Sequence, residues 1–312
     1  MASAVRVEPN DDRGRLPTQF PAWIPIVIFI APALIIYLGF TLFPVLKTIY
    51  NSLHVMKPHN AVEFVGLGNY GALLAHDDVF WKAVKNTAIF ALFGTVFDVA
   101  YGLLLALLLF ARIPLARFWK IVWFSPVLIS YVVVGIIWVW IYDYDWGFLN
   151  TGLRLIGFGS LEHAWLGDPH TALWAVLATQ VWKWAGFNMI VFLAALYALP
   201  EDLLGAAELD HCGWLAKLFY IILPMLRPTV VSLLVLSFVG KMMVFDVVWI
   251  MTRGGPLWST ETVSTYVYKR AFDWNTFDLG YPSAIAVLWF AMILAFVALL
   301  ISLLRQRDKM EY

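Results

Sequence analysis

Charge is scarce in this chain: 13% of its 312 residues are charged, against 62% hydrophobic ones. A soluble domain is typically about 25% charged and about 45–50% apolar. The shortage argues against a soluble enzyme, a disordered hub and a small secreted module. Cysteine is nearly missing as well. Cys212 stands alone, which excludes an intramolecular disulfide framework and a multi-cysteine metal site. Neither sign of charge is in surplus, since 21 Lys and Arg balance 21 Asp and Glu. No global basic surface therefore recruits nucleic acid. The sequence also lacks a Gly-x-x-x-x-Gly-Lys-Ser/Thr phosphate loop, a His-Glu-x-x-His helix and a nucleophile-elbow context for its serines. No catalytic residue, no metal site and no ATP site of that type is expected in the chain itself. No internal repeat or low-complexity tract is visible.

What is abundant is long apolar runs and aromatic rings, 17% of the chain with 16 Trp. A membrane helix needs about 20 mostly apolar residues to cross the hydrocarbon. Six runs qualify: residues 24–46, 86–110, 121–141, 171–199, 229–252 and 282–304. A span in lipid must satisfy its own backbone hydrogen bonds, and these runs are too long and evenly apolar for barrel strands. The expectation is an all-α, polytopic membrane protein with six transmembrane helices. The first run is about twice the length of a signal-peptide core and lacks a small-x-small cleavage site, so it reads as a retained helix. Residues 1–23 read as a polar cytoplasmic leader, 24–304 as one membrane domain and 305–312 as a cytoplasmic tail.

Lys and Arg distribution orients the spans. With the N-terminus inside, the inner segments hold Arg6, Arg13, Arg15, Arg112, Arg117, Lys120, Lys217, Arg227, Arg305, Arg307 and Lys309. The outer segments spread theirs more thinly, among them Lys47, Lys57, Lys82, Arg154, Arg253, Lys269 and Arg270. Both termini are therefore expected in the cytoplasm. Trp23, Trp119, Trp123, Trp138, Trp140, Trp249 and Trp289 lie near span ends, and most of them fit an interfacial aromatic belt.

One long inner loop, residues 200–224, reads as a short helix, a bend at 210–213 and a second helical turn over 214–222 that stops before Pro224. Unaided, the residues allow either an amphipathic linker on the membrane surface or a docking element for a cytoplasmic partner. Pro200-Glu201-Asp202-Leu203, Ala206-Ala207, Asp210 and Ile222-Leu223-Pro224 resemble the cytoplasmic EAA loop of ABC importer permeases. The nearest group is the carbohydrate-uptake one, of the maltose and glycerol-3-phosphate importer type. Phe245-Asp246, Thr252 and Gly254-Gly255-Pro256 resemble that group's end-of-helix signature. Phe64-Val65-Gly66-Leu67-Gly68-Asn69-Tyr70 resembles the segment after its first helix. Two departures stand out: Gly205 replaces the family's Glu, and His211-Cys212 replaces Gly-Ala.

The resemblance implies a type I ABC importer transmembrane domain in the cytoplasmic membrane of a prokaryote. It also implies partners: a second permease subunit, two ATP-binding subunits carrying ATP and magnesium, an extracytoplasmic solute-binding protein, and membrane lipid. Leu203, Gly205, Ala206, Ala207, Asp210 and Gly213 would form the coupling element that meets the ATPase. Asp210 is expected to cap the second helix of the loop. His211 and Cys212 read as packing residues rather than as a metal pair.

Four charges persist inside the runs: Asp98, Lys183, Lys241 and Asp246. Each costs about 2.5–3.5 kcal/mol at mid-membrane on insertion scales. They read either as a hydrated substrate path or as interhelical ion pairs, for instance Asp98 with Lys183 or Lys241. Asp246 reads first as the organiser of the Gly-Gly-Pro turn. Trp182, Lys183, Trp184, Phe187 and Asn188 form an aromatic and polar cluster of the type that suits sugars. The family likeness places its substrate path there and around Lys241. Two rivals stay open: a phosphorylated polyol as the ligand, and an intramembrane enzyme using Asp98 and Lys183 as acid and base.

Overall fold

The computed structural model describes residues 23–57, 61–111, 113–274 and 278–306. The leader residues 1–22, Arg112 and residues 307–312, with Arg307 and Lys309, lie outside them. The first unit, ending at Tyr50, contains one long apolar helix. It runs as α1 (Trp23–Tyr37), a π turn (Leu38–Leu42) and α2 (Phe43–Ser52). The π turn has a cause in Pro44. A proline cannot donate to the carbonyl four residues back, and its ring clashes with it. Widening the preceding turn relieves that clash without ending the helix.

The second unit, from Asn51 onward, opens with an antiparallel hairpin of β1 (His54–Lys57) and β2 (Ala61–Phe64), in register His54↔Phe64. The sequence reading as purely helical missed it, because four-residue strands leave too little periodicity. The segment 64–70 explains itself here. Buried Asn69 donates from Nδ2 to the carbonyls of Ser52 and His54, both at 2.9 Å, and Tyr70 donates to Ser52 Oγ at 2.7 Å. α3 (Gly68–His76) then leads to α4 (Asp78–Phe110), whose first turn is capped by Asp77 accepting from the Phe80 amide.

The third expected span is not one straight helix. It is α5 (Ala116–Leu128) and α6 (Tyr131–Ile141), bent by 106°. Pro126 sits in the last turn of α5, Ile129 is extended, and Ser130 restarts the helix by accepting from the Val133 amide. The pair still runs from one end of the bundle to the other. Ala116 and Ile113 pack with Leu199 and Ile222 beside the loop at 200–224, whereas Tyr142 packs with Leu173 and Val248. Counting the bent pair as one span keeps six crossings.

α7 (Phe148–Leu155) lies in the next connection, before α8 (Ala172–Tyr197). α8 is the central helix of the unit, packed against α4 and α5. At Gly186 a Cβ would come 2.0 Å from the carbonyl oxygen of Trp123. Only glycine lets α8 and α5 approach so closely.

The loop 200–224 gives α9 (Glu201–Leu209) and α10 (Trp214–Lys217). The expected stop before Pro224 does not occur. A π turn (Leu218–Ile222) absorbs the proline, as at Pro44, and the chain continues into α11 (Leu223–Met242). The fifth span therefore covers Trp214–Met242 and ends ten residues before the expected limit at 252. α12 (Asp246–Met251) and α13 (Val263–Tyr268) are separate short helices before the last span, α14 (Gly280–Gln306). Trp289 of α14 is no belt residue: it is buried and donates from Nε1 to the carbonyl of Met242 at 3.1 Å. That bond satisfies one of the open carbonyls at the end of α11.

Candidate functional site: a polar cavity and the 200–224 loop

Helical spacing on three elements builds one cavity of about 240 Å³. α8 contributes Gln180, Trp184, Phe187 and Asn188 at steps of three and four, which share one helix face. α11 contributes Leu236, Ser237, Gly240 and Lys241 by the same rule, and α4 contributes Asp98. Tyr131, the first residue of α6 after the bend, closes it. Of the eight expected path residues, this cavity brings together Asp98, Trp184, Phe187, Asn188 and Lys241. Tyr131, Gln180, Ser237 and Gly240 were missed. Gln180 and Ser237 were within reach, one turn before Trp184 and Lys241. Tyr131 had no local signal.

The cavity's charge is internally paired. Lys241 Nζ lies 2.6 Å from Asp98 Oδ2 and 2.7 Å from Ser237 Oγ, and the Ser237 hydroxyl donates to the same carboxylate oxygen at 2.9 Å. Of the two pairings open for Asp98, the structure selects Lys241. Trp184 Nε1 donates to the Tyr131 hydroxyl at 2.6 Å, and Gln180 Nε2 does so at 3.1 Å. Trp184 and Phe187 meet edge to face, with ring centres 5.8 Å apart.

Three expected path residues do not reach this cavity. Lys183 is buried elsewhere. Its ammonium donates to the carbonyls of Pro126 at 3.0 Å and Ile129 at 2.6 Å, and stands 4.8 Å from the Tyr131 ring centre. It clamps the break between α5 and α6, because one residue's rotation on α8 points it at α5 rather than at the cavity. An acid–base pair of Asp98 and Lys183 is therefore not assembled. Trp182 turns into an apolar groove beside Phe97, Tyr101 and Trp174. Asp246 is exposed in the first turn of α12.

The Gly-Gly-Pro turn is organised by other residues than Asp246. Thr260 Oγ1 lies 2.7 Å from Thr252 Oγ1 and donates to the Gly255 carbonyl at 2.7 Å. Asn86 Nδ2 donates to the carbonyls of Trp258 and Glu261, both at 3.0 Å. Glu261 is wholly buried, paired with Lys269 at 2.5 Å, and a Cβ on Gly254 would strike its carboxylate at 1.8 Å. Burial holds the Glu261 carboxyl above its ordinary range despite Lys269. Nearby, Asp77 accepts from Tyr266 and Tyr281, both at 2.6 Å, with Arg270 at 3.5 Å. Burial alone would raise Asp77, but these bonds and the Phe80 amide outweigh it and hold the carboxyl below its ordinary value of 3.8.

On α9, Leu203, Gly205 and Ala206 face outward, and Leu209 is 83% exposed. Ala207 is buried and Leu204 packs against the cluster around Leu199 and Ile222. Ala207 thus faces its own chain and not an external groove. The Glu201 side chain lies outside the described residues. Asp210 is exposed at the end of α9 and its carboxylate caps no helix; the N-cap of α10 is Gly213, with no side-chain cap. The bend is instead carried by His211 in left-handed conformation, φ 55°, with the Cys212 amide donating to the Ala207 carbonyl at 2.9 Å. Glu208 bonds Lys217 across the bend at 2.9 Å.

Residues 98–309 match the family described as binding-protein-dependent transport system inner membrane component. A sulfoquinovosyl glycerol transport system permease protein of Agrobacterium fabrum is 30% identical over 311 residues, covering 95% of this chain and 97% of that one. A trehalose/maltose transport system permease protein of Thermococcus litoralis is 30% identical over 272 residues, covering 86% and 90%. The solved structure of a bacterial alginate ABC transporter, in complex with an alginate pentasaccharide-bound periplasmic protein, superposes with a TM-score of 0.79. The identity there is 22%, over 91% of this chain and 95% of that one. With five helices long and apolar enough to cross a membrane, six if the bent pair is one span, a helix–bend–helix loop and a family match over well over half its length, this chain belongs to the binding-protein-dependent transport system inner membrane components, the permease subunits of ABC importers.

Proposed function

We propose that this permease subunit passes a carbohydrate across the cytoplasmic membrane of a prokaryote through the cavity between α4, α6, α8 and α11. The observation that carries the reading is the cavity's lining. Trp184 and Phe187 offer ring faces to sugar C–H groups, while Asp98, Asn188, Gln180 and Tyr131 surround them with hydrogen-bonding groups. Several similar proteins are named for sugar transport, which supports the same class.

A second permease subunit completes the path in this reading. A solute-binding protein delivers the sugar from outside, and two ATP-binding subunits with ATP and magnesium supply the energy. The outward face of α9, with Leu203, Ala206 and Leu209, meets the ATP-binding subunit. Closure of the ATPase pair moves α9 and, through Leu204 and Ala207, the inner ends of α4, α8 and α11.

The test is uptake in proteoliposomes containing the whole importer. Trp184→Ala combined with Phe187→Ala should lower sugar uptake at least about tenfold, an effect of about 1.4 kcal/mol or more. The amount of copurified ATP-binding subunit should not change. Wild-type uptake by that double variant would move the path away from this cavity. Absence of any copurifying ATP-binding subunit with the wild-type chain would overturn the importer reading itself.

A further inference from the structure

The cavity holds one cation and one anion, and they are spent on each other. Asp98 and Lys241 are 2% and 3% exposed, and their charged atoms lie 2.6 Å apart. An acid group entering the cavity would be attracted by Lys241 and repelled by Asp98 at nearly equal distance. Little net attraction would then offset the loss of its hydration. The lysine that the sequence alone offers to a phosphate is already neutralised.

The unused atoms point to what does fit. Asp98 Oδ1, Gln180 Oε1 and Asn188 Nδ2 are fully buried and have no hydrogen-bond partner among the described residues. All three residues line the same cavity. Buried polar atoms are nearly always paired, and an unpaired set around a cavity asks for a ligand or water. A hydroxyl can donate to a carboxylate oxygen such as Asp98 Oδ1 and can accept from an amide nitrogen such as Asn188 Nδ2. A carboxylate, sulfonate or phosphate oxygen only accepts, and would face Asp98 Oδ1 acceptor to acceptor.

We propose that the Asp98–Lys241 pair makes this a site for uncharged sugars, with Asp98 Oδ1 as the specificity-determining acceptor that rejects acid sugars and sugar phosphates. The inference rests on the cavity being the sugar path.

The test uses the assembled importer, with its binding protein, trapped with vanadate. It is incubated with equimolar pairs of trehalose, lactose or maltose and the corresponding uronic acid. The sugar retained after washing is quantified by mass spectrometry. The wild-type importer should retain an uncharged member over its acid by at least about tenfold. Asp98→Asn leaves Lys241 unopposed and should abolish or invert that ratio. Lys241→Gln leaves Asp98 unopposed and should steepen it, which keeps the idea testable if Asp98→Asn fails to assemble. Equal retention of acid and neutral sugar by the wild type, retention of neither, or a ratio unmoved in both variants would overturn the proposal. The Trp184→Ala and Phe187→Ala double variant separates the two ideas. If it retains both sugars fully, the cavity is not the path. If it loses them while the charge variants leave the ratio unchanged, only the charge inference fails.

Discussion

Lys183 shows how a one-residue difference in helical phase decides a role. Its neighbour Trp184 lines the cavity, while Lys183 donates to the carbonyls at the end of α5. The Pro126 carbonyl also accepts from the Ile129 amide at 3.3 Å, so the Ile129 carbonyl depends most on the lysine, and an unsatisfied buried polar group costs about 1–3 kcal/mol. Lys183→Met should therefore lower the unfolding temperature and the yield of the assembled importer. Lys183→Arg should recover part of both, because it can still donate. Thermal unfolding of the two variants in the same detergent checks this; normal stability of Lys183→Met would return the residue to the list of path candidates. Asp77 makes a pH-dependent contribution of known sign. Its carboxyl is held below 3.8 in the folded protein, so its bonds to Tyr266 and Tyr281 stabilise the fold above that pH. The contribution fades as pH falls through the lower folded value. The gap in melting temperature between wild type and Asp77→Asn should be constant from pH 7 to about 5 and should narrow towards pH 3. A gap that widens on acidification would contradict the assignment.

At the scale of elements, α9 separates two alanines that the sequence treats alike. Ala207 faces the chain's own core and Ala206 faces out. Ala206→Arg should insert and fold normally yet lose copurifying ATP-binding subunit, whereas Ala207→Arg should fail in its own assembly. Copurification measured beside chain yield distinguishes the two. Gly205 stands where the family has Glu, and a Cβ there would meet nothing within 4 Å. Gly205→Glu should be accommodated and should strengthen the helix by about 0.5–1 kcal/mol, since an interior glycine is a poor helix former. A drop in chain yield or in ATP-binding subunit recovery for Gly205→Glu would show that this face needs the small residue. Two of the three π turns among the described residues follow a shared rule, each ending two residues before a proline, while the third, Lys269–Asp273, does not. Proline was expected to terminate the helix at 224, and a wider turn kept it continuous instead.

For the whole molecule, the orientation expected from Lys and Arg density puts the loop at 200–224 inside and the Gly-Gly-Pro turn outside. With Cys212 replaced by Ser, Leu209→Cys should react with an impermeant thiol reagent only from the inside. Leu257→Cys, at a position 76% exposed, should react only from the outside. The reverse pattern would overturn the orientation drawn from Lys and Arg density. The apolar spans and the family were legible in the sequence because apolar run length and ordered motifs are local properties, preserved whatever the packing. Five of the eight expected path residues also meet in the cavity, since helix spacing on α8 and the cost of membrane charges both report in one dimension. Tyr131, the partner choice of Asp98 and the clamp at Lys183 were decided only by tertiary structure. Each depends on how α4, α6, α8 and α11 rotate against one another, and on a bend after α5 that brings residues about 50 positions apart within hydrogen-bond distance. No periodicity within a single helix carries that rotation.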